Sequence, residues 1–163
     1  FLDRNIKNNN IDNVQPYNFG FSNETGEMFI APPAGRIKSM AFSVHSDRTQ
    51  DSNGPGQMAQ FKKLDDHFSE SRLEKLDFIK IDVEGHELSV LKGGQATITK
   101  HKPIMELEVV PQHRDHEKIF AILDEWNYDI FVWKGGDFLK TTHDLWLKEQ
   151  TRDIGGDIFA IPQ

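Results

Sequence analysis

The chain contains no cysteine, which excludes a disulfide framework and a thiolate metal site. It also has no apolar run long enough to cross a membrane. Basic residues are in deficit, with 19 Lys and Arg against 26 Asp and Glu, so the net charge is −7. A negative chain without clusters of Lys and Arg is a poor partner for phosphate backbones. We therefore predict a cytoplasmic protein with no nucleic-acid partner and no membrane span.

A strand–turn–helix pattern lies near the centre of the sequence. Residues 78–83 form a short apolar run rich in β-branched side chains, which is typical of a buried strand in a parallel sheet. Gly85 interrupts this run. Leu88 and Leu91 then recur at helical spacing until a Gly-Gly pair at 93–94 ends the pattern.

Two acids and a histidine, Asp82, Glu84 and His86, occupy the predicted turn. In open α/β sheets such turns lie at the carboxyl ends of the strands, where ligands bind. Acids before a helix also serve as caps and dipole partners, so a purely structural role is the alternative. Because Lys80 and Asp82 interrupt an otherwise apolar strand, and charges are rarely buried without a partner, the pattern favours a functional site.

Strand and helix patterns alternate along the chain, which predicts an α/β fold with a doubly wound sheet. Residues 78–83 and 104–109 are predicted to be adjacent parallel strands, because one helix joins them in a right-handed crossover. Residues 113–126 predict an amphipathic helix. The strands predicted at 127–133 and 157–161 fit an antiparallel pair at the edge of the sheet.

Patterns in the first half of the chain are weaker. Residues 14–21 predict a strand that pairs with the next one across a polar turn. Residues 32–56 predict either a mobile loop over the site or a plain surface loop. Residues 65–74 predict a short helix capped by Asp65 or Asp66.

Several segments resemble one family. Positions 80–87 have the sequence KIDVEGHE, and VLKG follows at 90–93. Together with LDD at 64–66, KPIMELE at 102–108 and NIKNN at 5–9, they resemble, in order, the signature of FkbM-type methyltransferases. These enzymes are O-methyltransferases that depend on S-adenosylmethionine (SAM). The resemblance implies a Rossmann-like class I methyltransferase sheet and methyl transfer to a hydroxyl group of a sugar or another small molecule.

The resemblance also implies roles for individual residues. Asp82 and Glu84 match the signature and are the first candidates for catalytic residues. His86 is a further candidate, because a hydroxyl acceptor benefits from a base and histidine titrates near neutral pH; the signature does not demand histidine there. Glu108 ends the neighbouring strand and is a candidate for substrate binding, with an ion pair to Lys80 as the structural alternative.

The glycine-rich loop and the ribose-binding acid that the family places in its first βαβ unit have no match here. The only G-x-G, at 54–56, follows no predicted strand. We therefore expect a single domain over 1–163 that is N-terminally incomplete, with about 30 or more residues of that unit outside it. We expect it to bind SAM weakly, on the adenine side near Phe21 and Ser22, and to self-associate through an exposed apolar sheet face.

Two other classes of function stay open. The first is a non-catalytic remnant or interaction module that has the fold without the cofactor loop. The second is a metal-dependent hydrolase that uses the Asp, Glu and His side chains. His113 and His116 lie among acids, but their spacing offers no compelling third ligand, so a solvated helix start is favoured and no metal site is predicted.

Overall fold

The computed structural model describes residues 2–31, 43–45, 56–111, 115–149 and 156–163. Within these ranges the chain forms an α/β fold, and none of the helices has an apolar stretch long enough to cross a membrane. The strands are β1 (Gly20–Phe21), β2 (Gly26–Ala31), β3 (Ser43–His45), β4 (Gln57–Lys62), β5 (Phe78–Ile81), β6 (Ile104–Val109), β7 (Tyr128–Lys134), β8 (Asp137–Thr141) and β9 (Gly156–Pro162). The helices are α1 (Leu2–Asn8), α2 (Leu64–Glu70), α3 (Glu87–Gly93), α4 (Gln95–His101), α5 (His116–Glu125) and α6 (His143–Glu149).

The larger sheet has five strands in the order β5-β6-β9-β7-β8. β5 and β6 are parallel neighbours, with Phe78 opposite Ile104 and Ile81 opposite Leu107. The predicted parallel pair is therefore confirmed, and α3 and α4 form the crossover between the two strands. As a consequence, the residues that follow β5 and those that end β6 meet at the same edge of the sheet.

The C-terminal strands are antiparallel, as predicted, but they are arranged differently. β9 pairs with both β6 and β7 and therefore lies inside the sheet. The edge is β8, which pairs with β7 across a turn at Gly135 and Gly136. The sequence did not indicate β8 because none of its residues is buried, so an edge strand of this kind has no apolar pattern.

Helices α2 to α6 all contribute buried residues to the core that they form with this sheet. In β6 the buried residues Met105, Leu107 and Val109 alternate with more exposed ones and contact α3. The opposite face exposes Phe78 by 51% and Ile104 by 44%. Of β5 only Ile81 is buried, so the prediction that this strand is buried along its length is wrong. Self-association through the exposed face stays a prediction.

A second sheet has four strands in the order β1-β4-β2-β3. β1 is parallel to β4, and β2 is antiparallel to β4 and β3. The predicted pairing of residues 14–21 with the next strand is therefore wrong, because β4 lies between β1 and β2. The Ser22 amide extends the β1–β4 pairing by donating to the Lys62 carbonyl oxygen at 2.9 Å. The predicted loop at 32–56 lies mostly outside the described residues.

Candidate active site at the ends of two parallel strands

The turn after β5 has an unusual backbone that a buried acid stabilises. Glu84 has a φ of 52° and Gly85 a φ of 95°, both in the left-handed region. The buried Glu87 carboxylate accepts hydrogen bonds from the Val83 amide at 3.3 Å and the Gly85 amide at 3.0 Å. Hydrogen bonds to a charged acceptor are among the stronger ones. Glu87 therefore stabilises the turn conformation that orients the Glu84 side chain. The sequence analysis missed this role.

Three predicted site residues converge at this edge of the sheet. Carboxylate oxygens of Asp82, Glu84 and Glu108 all lie within 4.8 Å of one another. Ile81 is opposite Leu107 in the parallel register. The residues that follow them, Asp82 and Glu108, therefore lie side by side. We call these three residues the acid cluster. Asp82 and Glu84 are exposed and Glu108 is half-buried, so the acid cluster is open to a ligand.

The acid cluster changes the protonation of Glu108. Burial, followed by a hydrogen bond with Asp82 and the negative charges of Asp82, Glu84 and Asp157, raises the pKa of Glu108 from 4.5 to about 7. Carboxylates this close cannot all ionise easily, so one of them retains a proton. A carboxyl group with a pKa near neutrality is suited to accept or release a proton at physiological pH.

Lys80 does not neutralise Glu108. Its Nζ lies 2.5 Å from Oε1 of Glu106, which is its direct neighbour in the β5–β6 register. The alternative role of Glu108 as an ion-pair partner of Lys80 is therefore wrong. Among the side chains that the structure describes, no cationic group forms an ion pair with Glu108. The pKa of Glu108 is therefore not lowered by a bound positive charge.

His86 and Ser22 are in contact although they are far apart in the sequence. The Ser22 hydroxyl oxygen lies 2.8 Å from His86 Nε2. Ser22 is fully buried, and burial lowers the pKa of the half-buried His86. Phe61 of β4 lies edge-on to the imidazole with ring centroids 6.0 Å apart. Sequence reasoning named both residues but gave no signal that they touch.

The predicted cofactor-binding pair, Phe21 and Ser22, lies at the end of β1. Phe21 is half-buried and packs against the core and the rings of Phe19 and His67. The Ser22 hydroxyl already contacts Asn23 and His86, which uses its one hydrogen and leaves it only acceptor capacity for a cofactor. Their role in binding a cofactor stays a prediction. A cavity of about 500 Å³ lies beside Ser22; its lining also includes His86, Glu27 and Met28.

The LDD segment has a structural role that differs from the predicted one. Asp65 does not cap its own helix, α2, whose first flanking residue is Lys63. Its carboxylate instead accepts hydrogen bonds from the amides of Ala96 at 3.1 Å and Thr97 at 2.8 Å, at the start of α4. Asp65 thus caps a helix that begins about 30 residues later and holds α2 against α4.

The histidines near α5 form a pair outside the acid cluster. Nδ1 of His116 lies 2.9 Å from Nε2 of His143, and the two rings are stacked. Burial and the neighbouring His143 lower the pKa of His116. His113 lies outside the described residues. A second cavity, of about 570 Å³, lies beside α5 and β8 and includes His143 and Lys140 but none of the predicted site residues.

Comparisons with known proteins address the family and the fold. Residues 5–130 match the model of the methyltransferase FkbM domain. A crystal structure of a methyltransferase FkbM from Methylobacillus flagellatus KT is similar, with a TM-score of 0.53 and 18% sequence identity. That match covers 98% of this chain and 32% of the solved one, so the chain spans about a third of its length. The likeness shows a common fold. A search of curated proteins finds no match.

Proposed function

Because the chain belongs to the FkbM methyltransferase family, we propose that it transfers a methyl group from SAM to a hydroxyl group of a sugar or another small molecule. The observation that supports this most is the convergence of Asp82, Glu84 and Glu108 at the carboxyl ends of two parallel strands. Ligands of open α/β sheets bind at that edge.

The chemistry of the site suits the proposed methyl donor. When bound, SAM supplies a methyl group on a positively charged sulfonium, which is a good leaving group. Asp82 and Glu84 offer exposed negative charges that attract a cation to this edge. Phe21 and the apolar part of the neighbouring cavity offer packing for a ring. Since such a transfer mainly requires the reactants to be held in line, the chain's chief contribution is their positioning.

The acid cluster also provides a base for the acceptor. Glu108, with its pKa raised to about 7 by burial and by Asp82, loses its proton near neutral pH. The deprotonated carboxylate then accepts the hydrogen of the acceptor hydroxyl, which increases the nucleophilicity of that oxygen. Before that proton leaves, the hydrogen bond between Glu108 and Asp82 holds the Glu108 carboxyl group in place. His86 is the second candidate for the base.

Methyl transfer from isotope-labelled SAM to a panel of sugars and polyols tests this function. The variants D82N and E108Q should each lower the rate by roughly 100-fold or more, the usual contribution of a positioned base. E106Q is the matched control, because Glu106 lies on the same strand and face but pairs with Lys80. Normal turnover in both D82N and E108Q would remove the acid cluster from the mechanism.

The same experiment separates the other two classes of function. A non-catalytic module would bind SAM or an acceptor without transferring a methyl group under any condition. Among the residues that the structure describes, the feature that suggests a metal-dependent hydrolase is the close approach of the three carboxylates. Stoichiometric zinc or manganese in elemental analysis, with activity lost on chelation, would favour the hydrolase over the methyltransferase.

A further inference from the structure

The backbone of Ser22 is fixed on both sides. Its amide donates to the Lys62 carbonyl oxygen at 2.9 Å, which ties it to β4. Its carbonyl oxygen lies against Gly93, where an added Cβ would come within 2.0 Å of that oxygen. Because β4 binds its amide, α3 packs against its carbonyl oxygen and the residue is fully buried, the Ser22 side chain has little room to move.

The hydroxyl of Ser22 has a single hydrogen and two neighbours. It donates that hydrogen to Oδ1 of Asn23 at 3.2 Å. His86 Nε2 lies 2.8 Å from the same hydroxyl oxygen. With the hydroxyl hydrogen assigned to Asn23 Oδ1, the contact with His86 is made by Nε2 donating, and a neutral imidazole has only one N–H. This assignment puts the proton of His86 on Nε2 and leaves Nδ1 as an acceptor.

His86 keeps this acceptor available to a ligand. It flanks the start of α3 but makes no side-chain cap hydrogen bond there. Among the described residues, Nδ1 has no hydrogen-bond partner. His86, Ser22 and Asn23 all line the cavity of about 500 Å³, together with the carboxylates of Glu24 and Glu27. These acids repel anions, so the cavity suits a neutral or cationic ligand that offers hydrogen-bond donors.

We propose that Ser22 and Asn23 act as positioning residues that hold His86 in its Nε2–H tautomer, so that Nδ1 accepts a hydrogen bond from a ligand hydroxyl group. The hydroxyl belongs either to the methyl acceptor or to the ribose of the cofactor. The assignment of the ligand rests on the proposed function, whereas the tautomer does not. Ser22 thus acts on the ligand through His86 and not by direct contact.

Nitrogen-15 NMR of the histidine side chains tests the tautomer in the ligand-free 163-residue chain. The wild type should show His86 protonated on Nε2 at pH 7. S22A and N23A should both give a mixture of tautomers: the first removes the hydroxyl, and the second frees its hydrogen to rotate toward His86. Asn23 is exposed, so N23A should fold normally, and S22T should restore the single tautomer. A wild-type Nδ1–H tautomer, or spectra unchanged in both variants, would overturn the proposal.

Michaelis constants then identify the source of the hydroxyl. In N23A, the KM of one substrate should rise roughly two- to ten-fold, the usual worth of one hydrogen bond, with a smaller change in kcat. A higher KM for the sugar or polyol assigns Nδ1 to the acceptor, and a higher KM for SAM assigns it to the ribose. If neither changes, the ligand half of the proposal is overturned. Absence of methyl transfer in every protein, the wild type included, would overturn the proposed function and leave the tautomer result intact.

Discussion

Glu108 shows how far neighbours can change a single residue. Its position at the end of a predicted strand was evident from the sequence, and so was its place in the family signature. Its pKa of about 7 was not evident from the sequence, because that pKa depends on burial and on the approach of Asp82, which follows the neighbouring strand β5. Only the parallel register of β5 and β6 brings those two carboxyl groups together.

The raised pKa of Glu108 predicts a pH dependence of stability. A carboxyl whose pKa is higher in the folded chain binds more protons when folded. The free energy of unfolding should therefore fall as pH rises from about 4.5 to about 7. After a discount for solvent screening we expect a fall of about 1–2 kcal/mol, where one full pKa unit corresponds to about 1.4 kcal/mol. E108Q should remove this fall, as measured by chemical denaturation at pH 4.5 and pH 8.

E106Q is again the control for this measurement. It removes the Lys80–Glu106 ion pair, which is partly exposed and should contribute at most about 1 kcal/mol. Its stability should keep the same dependence on pH as the wild type. A fall of equal size in E108Q and the wild type would show that Glu108 is not the group with the raised pKa.

Glu87 should matter more to stability than its place in the turn suggests. E87A leaves the amides of Val83 and Gly85 without their acceptor, and we expect a loss of about 2 kcal/mol in the free energy of unfolding. E87Q keeps an acceptor oxygen and should lose less. E117A is the matched control, because Glu117 is the first-turn acid of α5 and is exposed. Urea denaturation that gives equal values for E87A and E117A would contradict this role.

At the scale of elements, the contact between α3 and the end of β1 depends on one glycine. The Gly-Gly pair at 93–94 was interpreted as the end of a helix, and α3 does end at Gly93. The structure adds a second requirement, because an added Cβ at Gly93 would lie 2.0 Å from the Ser22 carbonyl oxygen. At Gly94 the nearest atom is the end of the flexible Leu64 side chain, at 2.7 Å.

G93A and G94A therefore form a matched pair. G93A forces α3 away from the backbone of Ser22, and we expect it to lower the free energy of unfolding by about 1–3 kcal/mol. G94A meets a side chain that can rotate and should lower it less. Thermal denaturation compares the two, and histidine NMR should show that only G93A disturbs the His86 signal. A larger loss in G94A would contradict the assigned contact.

Local patterns predicted individual elements better than they predicted partners. Asp65 illustrates the limit. The sequence analysis assigned it, or Asp66, as the cap of the helix that begins next to it, α2. The Asp65 carboxylate instead binds the start of α4. The position of β4 between β1 and β2 was missed for the same reason. Caps and strand partners are chosen in space, and a single sequence contains no direct record of distant contacts.

At the scale of the whole molecule, the fold class and the central strand pair were predictable from the sequence. Alternating strand and helix patterns indicated an α/β fold, and the apolar runs at 78–83 and 104–109 indicated the parallel pair. The apolar run at 78–83 did not by itself show that the outer face of β5 is exposed, since such a run does not show which neighbours cover it; the expectation of an exposed sheet face came from the family resemblance. The sequence analysis named the three residues of the acid cluster individually but did not show that they converge. The parallel register of β5 and β6 brings Asp82 and Glu108 together.

We propose that a methyl donor binds at the edge formed by β5 and β6. Titration of the ¹⁵N-labelled chain with SAM, followed by amide NMR, tests it most directly, because it requires no knowledge of the acceptor. We expect weak binding, with a dissociation constant in roughly the millimolar range, since no glycine-rich loop precedes β5 in this sequence. The amides of residues 21–23, 82–86 and 108 should shift together, and D82N should reduce those shifts. Shifts confined to the cavity beside α5 and β8, or none at these positions, would contradict the claim.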